Sequence, residues 1–163
     1  SDDHGESWKL GGSSPNHQVN ECEVAQLPDG SLMLNMRNYD RRVKKRQTAI
    51  SKDGGITWTQ QSHDSTLIEP RCQASLHVYE QEEQAFLLFS NPANEDKRVN
   101  MTLRISVDAG KTWEEALVLY AGPSAYSDIA TLRDGTIVCF FEKGEERPYE
   151  TISLSRVKLS ENQ

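Results

Sequence analysis

A chain of 163 residues, with 36% apolar residues, 26% charged residues and a formal charge of −7, is sized for one compact domain with a modest core. No stretch approaches the roughly 18 consecutive apolar residues of a membrane-spanning helix, and the acidic balance argues against a nucleic-acid binder, whose footprint would be basic. Cys22, Cys72 and Cys139 are too few for a disulfide scaffold, and His4, His17, His63 and His77 are scattered without metal-ligand spacing, so neither a metal site nor a cofactor is expected.

All three tryptophans close the same eight-residue pattern, SxDxGx[ST]W. The copies are Ser1 to Trp8, Ser51 to Trp58 and Ser106 to Trp113, with starts 50 and 55 residues apart. That period predicts one supersecondary unit per repeat. The chemistry is that of a tight hairpin. The aspartates (Asp3, Asp53, Asp108) can bond backbone two residues on, glycine accepts a left-handed angle, and Trp8, Trp58 and Trp113 each offer a large face to bury between sheets. A turn that stabilises the fold is favoured over calcium binding, because the shared pattern fixes only one acid per turn, too few for the ion's oxygen ligands.

Between the turns, alternating apolar and polar residues predict strands. In chain order these are Glu23 to Leu27, Leu32 to Leu34 after the hairpin signal Pro28-Asp29-Gly30, Gln47 to Ser51, and Thr57 to Gln60. The next unit has Gln73 to Tyr79, a polar turn at Glu80 to Glu83, Ala85 to Ser90, Met101 to Ser106 and Trp113 to Leu119. The last has Ser127 to Leu132, a turn at Asp134-Gly135, Ile137 to Glu142 and Glu150 to Leu159. No useful amphipathic helix is predicted. Four antiparallel strands in about 50 residues is a propeller blade. The expected fold is therefore all-β, a propeller of four-stranded antiparallel blades. Residues 1–15 read as the closing hairpin of one blade, 16–66 and 67–121 as complete blades, and 122–163 as an incomplete last blade. About three blades fall short of a closed ring, so the chain is expected to be part of a longer protein, and the absence of a signal peptide leaves its location open.

Strand order predicts which face carries chemistry. In such a blade the starts of the first strands and the ends of the second share one face, and the tryptophan turns lie on the other. The functional rim then collects Asn20-Glu21-Cys22, Arg71-Cys72-Gln73, Ala125-Tyr126-Ser127, Asn35-Met36-Arg37, Ser90-Asn91-Pro92, Lys97-Arg98-Val99 and Phe141-Glu142-Lys143. Acids, arginines and a tyrosine on one rim suit an anionic ligand. The run Arg41-Arg42-Val43-Lys44-Lys45-Arg46 is read either as a local steering patch or as a solvated loop.

With NECEVAQLPDGSLMLNMRN, FSNPANEDKRVNMTLR, GPSAYSDIATL and FFEKG, these turns resemble the exo-α-sialidases, whose SxDxGx[ST]W turns are called Asp boxes and whose fold is a six-bladed propeller. The resemblance covers nearly the whole chain but only the second half of a typical member. It implies that Tyr126 in SAYSD is the nucleophile and that Glu21 in NEC activates it. Arg37 in NMR and Arg98 in KRVN fall on two of the three arginines that bind the sialic acid carboxylate. Glu142 in FFEKG resembles the acid that steadies the third arginine, and Gln73 in CQAS is a candidate contact for the sugar's side groups. The implied partners are sialylated glycans and the remaining half of the propeller. The acid/base aspartate and the third arginine fall on no residue here.

The assignment is physically coherent. A carboxylate nucleophile would approach the substrate's own carboxylate, whereas a neutral tyrosine hydroxyl avoids that repulsion. A free tyrosine, with a pKa of about 10, needs a base in hydrogen-bond reach. Arginines grip a carboxylate with paired donors, which lysine cannot reproduce. Two alternatives remain open at this level: a non-catalytic propeller used for glycan or protein recognition, and a trans-sialidase passing the sugar to another glycan.

Overall fold

The computed structural model describes residues 1–81 and 84–159. Ten strands form, and no helix occurs among the described residues. They are β1 (Val19–Gln26), β2 (Leu32–Asn38), β3 (Lys45–Ser51), β4 (Ser62–Ile68), β5 (Ser75–Gln81), β6 (Gln84–Pro92), β7 (Val99–Ser106), β8 (Glu114–Thr131), β9 (Ile137–Lys143) and β10 (Thr151–Val157). Every pairing is antiparallel and between consecutive strands. The order is β1-β2-β3-β4 in one sheet and β5 through β10 in another.

The second sheet departs from the expected separate units. β8 is one strand of 18 residues: its first part pairs with β7, and Ser124 to Thr131 pairs with β9. The chain stays extended through the expected blade boundary because backbone bonds hold it on both sides. Ser124 N–H donates to the Arg98 carbonyl at 2.8 Å, and Gly144 N–H donates to the Pro123 carbonyl at 3.0 Å. Other limits move as well: β1 starts at Val19 rather than Glu23, and β2 runs to Asn38 rather than Leu34. The strand after the second tryptophan turn starts at Ser62 rather than Thr57, and the expected turn at Glu80 to Glu83 falls partly on residues 82–83, outside the described residues.

Two cores follow from the period-2 pattern. In β6, Leu87 and Phe89 face one core with Ala25, Leu27, Met33, Leu67, Leu76 and Trp113. Leu88, on the opposite face, joins Tyr79, Met101, Leu103, Ile129, Ile137 and Phe141. A strand covered on both faces reads as a continuous apolar run, which is what Phe86 to Phe89 is. Replacing Phe89 by alanine would remove a ring that also meets Trp113 at 5.7 Å between centroids.

The tryptophan turns share one network. In the third, Ser106 Oγ donates to Asp108 Oδ1 and accepts the Gly110 amide at 2.9 Å, while Thr112 donates its amide to Oδ1 and its hydroxyl to Oδ2 at 2.6 Å. Ser51, Asp53 and Thr57 repeat these contacts, as do Ser1, Asp3 and Ser7. The carboxylates are thus occupied by turn amides and hydroxyls. Residues four and five of each copy have positive φ, Ala109 at 59° and Gly110 at 81° in the third. A Cβ on Gly110 would sit 2.5 Å from Met33 Cε, so glycine there also lets the turn approach the neighbouring sheet. Burial of the tryptophans is uneven: Trp113 is 7% exposed and Trp8 is 78% exposed. Trp113 lies against Phe89 and donates Nε1–H to Asp64 at 3.2 Å. Trp8 donates Nε1–H to the Gly5 carbonyl of its own turn and stays exposed, so the expected burial is not seen for that copy.

These hydrogen bonds hold the Asp108 carboxyl down to about 2 from 3.8, the Thr112 hydroxyl and amide acting most strongly. A depressed folded pKa favours the folded state above the unfolded value, and that contribution is lost as pH falls from about 3.8 through about 2. A carbon-detected NMR titration of Asp108 should give a midpoint near the lower figure. A midpoint at the ordinary aspartate value would mean that the network does not form.

The basic run is not a solvated loop throughout. Arg46 and Glu69 are fully buried and paired at 2.9 Å. Arg41 donates to the Glu69 and Glu95 carbonyls, Arg42 pairs with Asp40, and Lys44 pairs with Asp96 at 2.6 Å. Three of its five charges, Arg42, Lys44 and Arg46, thus pair with acids, while Arg41 and Lys45 donate to backbone carbonyls, so the run is largely engaged with neighbouring segments. Cys72 and Cys139 are buried free thiols, pushed up to about 11 by burial, and Cys22 is an exposed one.

Candidate active site

Glu21 is the extra residue of a β-bulge. Asn20 pairs with Arg37 and Cys22 with Met36, leaving Glu21 unpaired with φ of 34°. A bulge re-aims a side chain that regular pleating would send elsewhere. Tyr126 lies in a second irregularity: three steps along β8, from Ser124 to Ser127, match two along β9, from Lys143 to Phe141. The two bulges turn their side chains together, and the Tyr126 hydroxyl donates to Glu21 Oε1 at 2.6 Å. Arg37, on β2 opposite the first bulge, donates Nη1–H to Glu21 Oε2 and to the Tyr126 hydroxyl at 3.3 Å.

Protonation follows from these contacts. Burial pushes the Glu21 carboxyl up, but the hydrogen bonds from Tyr126 and Arg37 and the charge of Arg37 outweigh it, and the group titrates below its ordinary range. The hydrogen bond to Glu21 pushes Tyr126 up, with burial and the Glu21 charge acting in the same direction. At neutral pH the pair is therefore a carboxylate accepting from a neutral phenol. Tyr126 is 37% exposed, so a ligand can reach the hydroxyl.

The remaining residues meet around this pair. The Arg98 guanidinium carbon is 5.7 Å from the Tyr126 ring centroid. Glu142, on β9, accepts the Tyr126 amide at 3.1 Å. Gln73 is occupied at both ends of its amide by the Ser127 backbone, donating to the carbonyl and accepting from the N–H, each at 2.9 Å. The Ser127 hydroxyl is held in turn by Ser90 at 2.8 Å. Gln73 and Glu142 thus grip backbone around Tyr126. Arg104 is buried in β7 and bonds Asn91. Arg71 is exposed and lies over Tyr39, which Arg37 also faces at 4.9 Å. Sequence reasoning missed Tyr39 and Tyr149. Tyr149 meets Arg98 from a turn that carries no motif.

Residues 1–139 match the BNR repeat-like domain. The chain belongs to the BNR repeat-like domain family. Within it, this BNR-repeat chain is 33% identical to the sialidase of Micromonospora viridifaciens over 95% of its length and 25% of that protein's. It is 37% identical to the sialidase of Bacteroides fragilis, covering 87% of the chain and 27% of the relative. It thus spans about a quarter of the length of each of these two relatives. Among solved structures, the Hadza microbial sialidase Hz136 superposes with a TM-score of 0.83 at 37% identity, over 98% of this chain and 31% of that one. The intramolecular trans-sialidase from Ruminococcus gnavus, at 21% identity and a TM-score of 0.79 over 98% of this chain and 37% of its own, shares the fold. The BNR-repeat chain is built as the sialidase β-propellers are, from antiparallel sheets.

Proposed function

We propose that this chain carries the nucleophile side of an exo-α-sialidase site that releases terminal sialic acid from glycoconjugates with retention. The observation that carries the reading is the 2.6 Å hydrogen bond from the Tyr126 hydroxyl to Glu21, with Arg37 bonded to both. Tyr126 attacks the anomeric carbon as its proton passes to Glu21, and the bond to the leaving sugar breaks. Water then releases the sugar from the tyrosine, and two displacements at one carbon return the original configuration. Tyrosine nucleophiles are a recognised exception among glycosidases. Arg37 and Arg98 bind the substrate carboxylate, keeping the charge that would repel an anionic nucleophile neutralised. Gln73 and Glu142 fix the backbone that carries the nucleophile. The proton for the leaving sugar and the third arginine come from residues outside this chain.

The sialidase relatives support this class of substrate, and a non-catalytic propeller has no need of a tyrosine–glutamate–arginine cluster. Transfer to a glycan acceptor instead of water uses the same first step. The test is proton NMR of 3′-sialyllactose treated with the natural full-length protein. The expected first product is the α-anomer of free sialic acid, followed by slow mutarotation. The β-anomer appearing first would rule out retention, a new sialoside would mean transfer, and unchanged substrate would leave the non-catalytic reading.

A further inference from the structure

Arg98 precedes β7 on the rim, and the bond from the Ser124 amide to its carbonyl fixes the backbone but does not by itself orient the long side chain. It is held nonetheless. Its Nη1–H donates to the Tyr149 hydroxyl at 2.5 Å and its Nη2–H to the Arg71 carbonyl at 3.1 Å. Its guanidinium carbon lies 5.8 Å from the Tyr149 ring centroid and 5.7 Å from that of Tyr126. Two of its five donors are engaged, and each of the three nitrogens keeps one N–H for a ligand. Tyr149 is itself placed by a built turn between β9 and β10. The Glu150 carboxylate accepts the amides of Glu145, Glu146 and Arg147 at 2.9, 3.3 and 2.8 Å. At Gly144 a Cβ would lie 2.0 Å from the Arg147 carbonyl, so the turn closes tightly.

We propose that Tyr149 is a positioning residue that holds the Arg98 guanidinium against the Tyr126 ring, ready for the substrate carboxylate. This rests on the sialidase reading of the site. A neutral hydroxyl suits the role, because a carboxylate at the same place would compete with the ligand for Arg98. Orienting the arginine beforehand removes an ordering cost from binding and leaves the chemistry at Tyr126 untouched. Tyr149 is 57% exposed, so losing one oxygen leaves both cores intact.

The test is a double-mutant cycle in the natural full-length protein with Tyr149→Phe, Arg98→Ala and both. The readouts are kinetics on a fluorogenic α-sialoside and calorimetric binding of 2-deoxy-2,3-didehydro-N-acetylneuraminic acid. Tyr149→Phe should raise KM and the probe's Kd about 3- to 10-fold, the worth of one hydrogen bond, with kcat within about twofold. In the Arg98→Ala background the same change should do nothing. An equal effect in both backgrounds, or no change in Kd, overturns the role. If Tyr126→Phe abolishes turnover while Tyr149→Phe leaves KM unchanged, only the positioning role fails. If Tyr126→Phe turns over as wild type does, the site reading fails and takes this role with it.

Discussion

Tyr126→Phe is expected to lower kcat by about 10³-fold or more in the full-length protein, as removal of a covalent nucleophile does elsewhere. KM should change far less, because the Arg37 and Arg98 side chains remain. The substitution deletes one oxygen and leaves the Gln73, Ser90 and Glu142 contacts with the surrounding backbone in place. The fold is therefore not at stake, and stopped activity reports chemistry. Glu21→Gln is the complementary test, expected to cost about 10²- to 10⁴-fold, the range for a general base. It keeps the shape but cannot take the proton. The sign of its pH effect is fixed by the geometry. Glu21 titrates below its usual 4.5 because Tyr126 and Arg37 favour the carboxylate over the opposing effect of burial. The acid limb of kcat/KM due to this group therefore lies below that value, and Glu21→Gln should abolish that limb. Turnover of Tyr126→Phe within tenfold of wild type would remove Tyr126 from the mechanism. An unaltered acid limb in Glu21→Gln would remove Glu21.

The repeats made much of this fold legible. Three Asp-box turns mark hairpins because their side chains close the turn within eight residues, a local matter. The apolar run at Phe86 to Phe89 likewise announces a strand covered on both faces. Motif context also picked out Glu21, Arg37, Arg98, Tyr126 and Glu142, which the fold brings into one cluster. What escaped is non-local. Both key side chains sit in bulges, and a bulge depends on the register of a partner strand that no single segment encodes. The 18-residue β8 was unforeseen because its middle, Gly122-Pro123, reads as a break, yet Pro123 needs no N–H there and its carbonyl is bonded from the side. Tyr149 carries no pattern of its own; its turn is shaped by one glutamate accepting three amides. Arg46, inside a run of bases, looks solvated until its acid appears 23 residues away.

That buried pair predicts the largest stability effect. Arg46 and Glu69 have no exposed side-chain surface. Arg46 also donates to Asn35 Oδ1 at 2.7 Å and to the Cys72 carbonyl at 2.8 Å, while Glu69 accepts the Asn38 amide at 2.6 Å. Burial disfavours the arginine's charge, and Glu69 is the main force restoring it. Glu69→Ala would strand a buried cation with neutral acceptors only and orphan the Asn38 amide, at a cost of about 3 to 5 kcal/mol. Glu69→Gln keeps an acceptor and should cost less. Arg46→Met with Glu69→Leu removes both charges together and should recover much of the loss, though not all, since the Asn38 amide and Cys72 carbonyl stay unpaired. Urea unfolding followed by circular dichroism separates these cases, and a cost below about 1 kcal/mol for Glu69→Ala would contradict the burial argument. The pair also bears on the site. Glu69 opens the segment between the two sheets that leads through Arg71 and Cys72 to Gln73, whose amide holds Ser127 beside Tyr126. If that segment loosens, Tyr126 loses its backbone support before the sheets separate. Glu69→Ala should therefore lose turnover at urea concentrations below those that unfold the strands, whereas the paired apolar variant should lose both at closer concentrations.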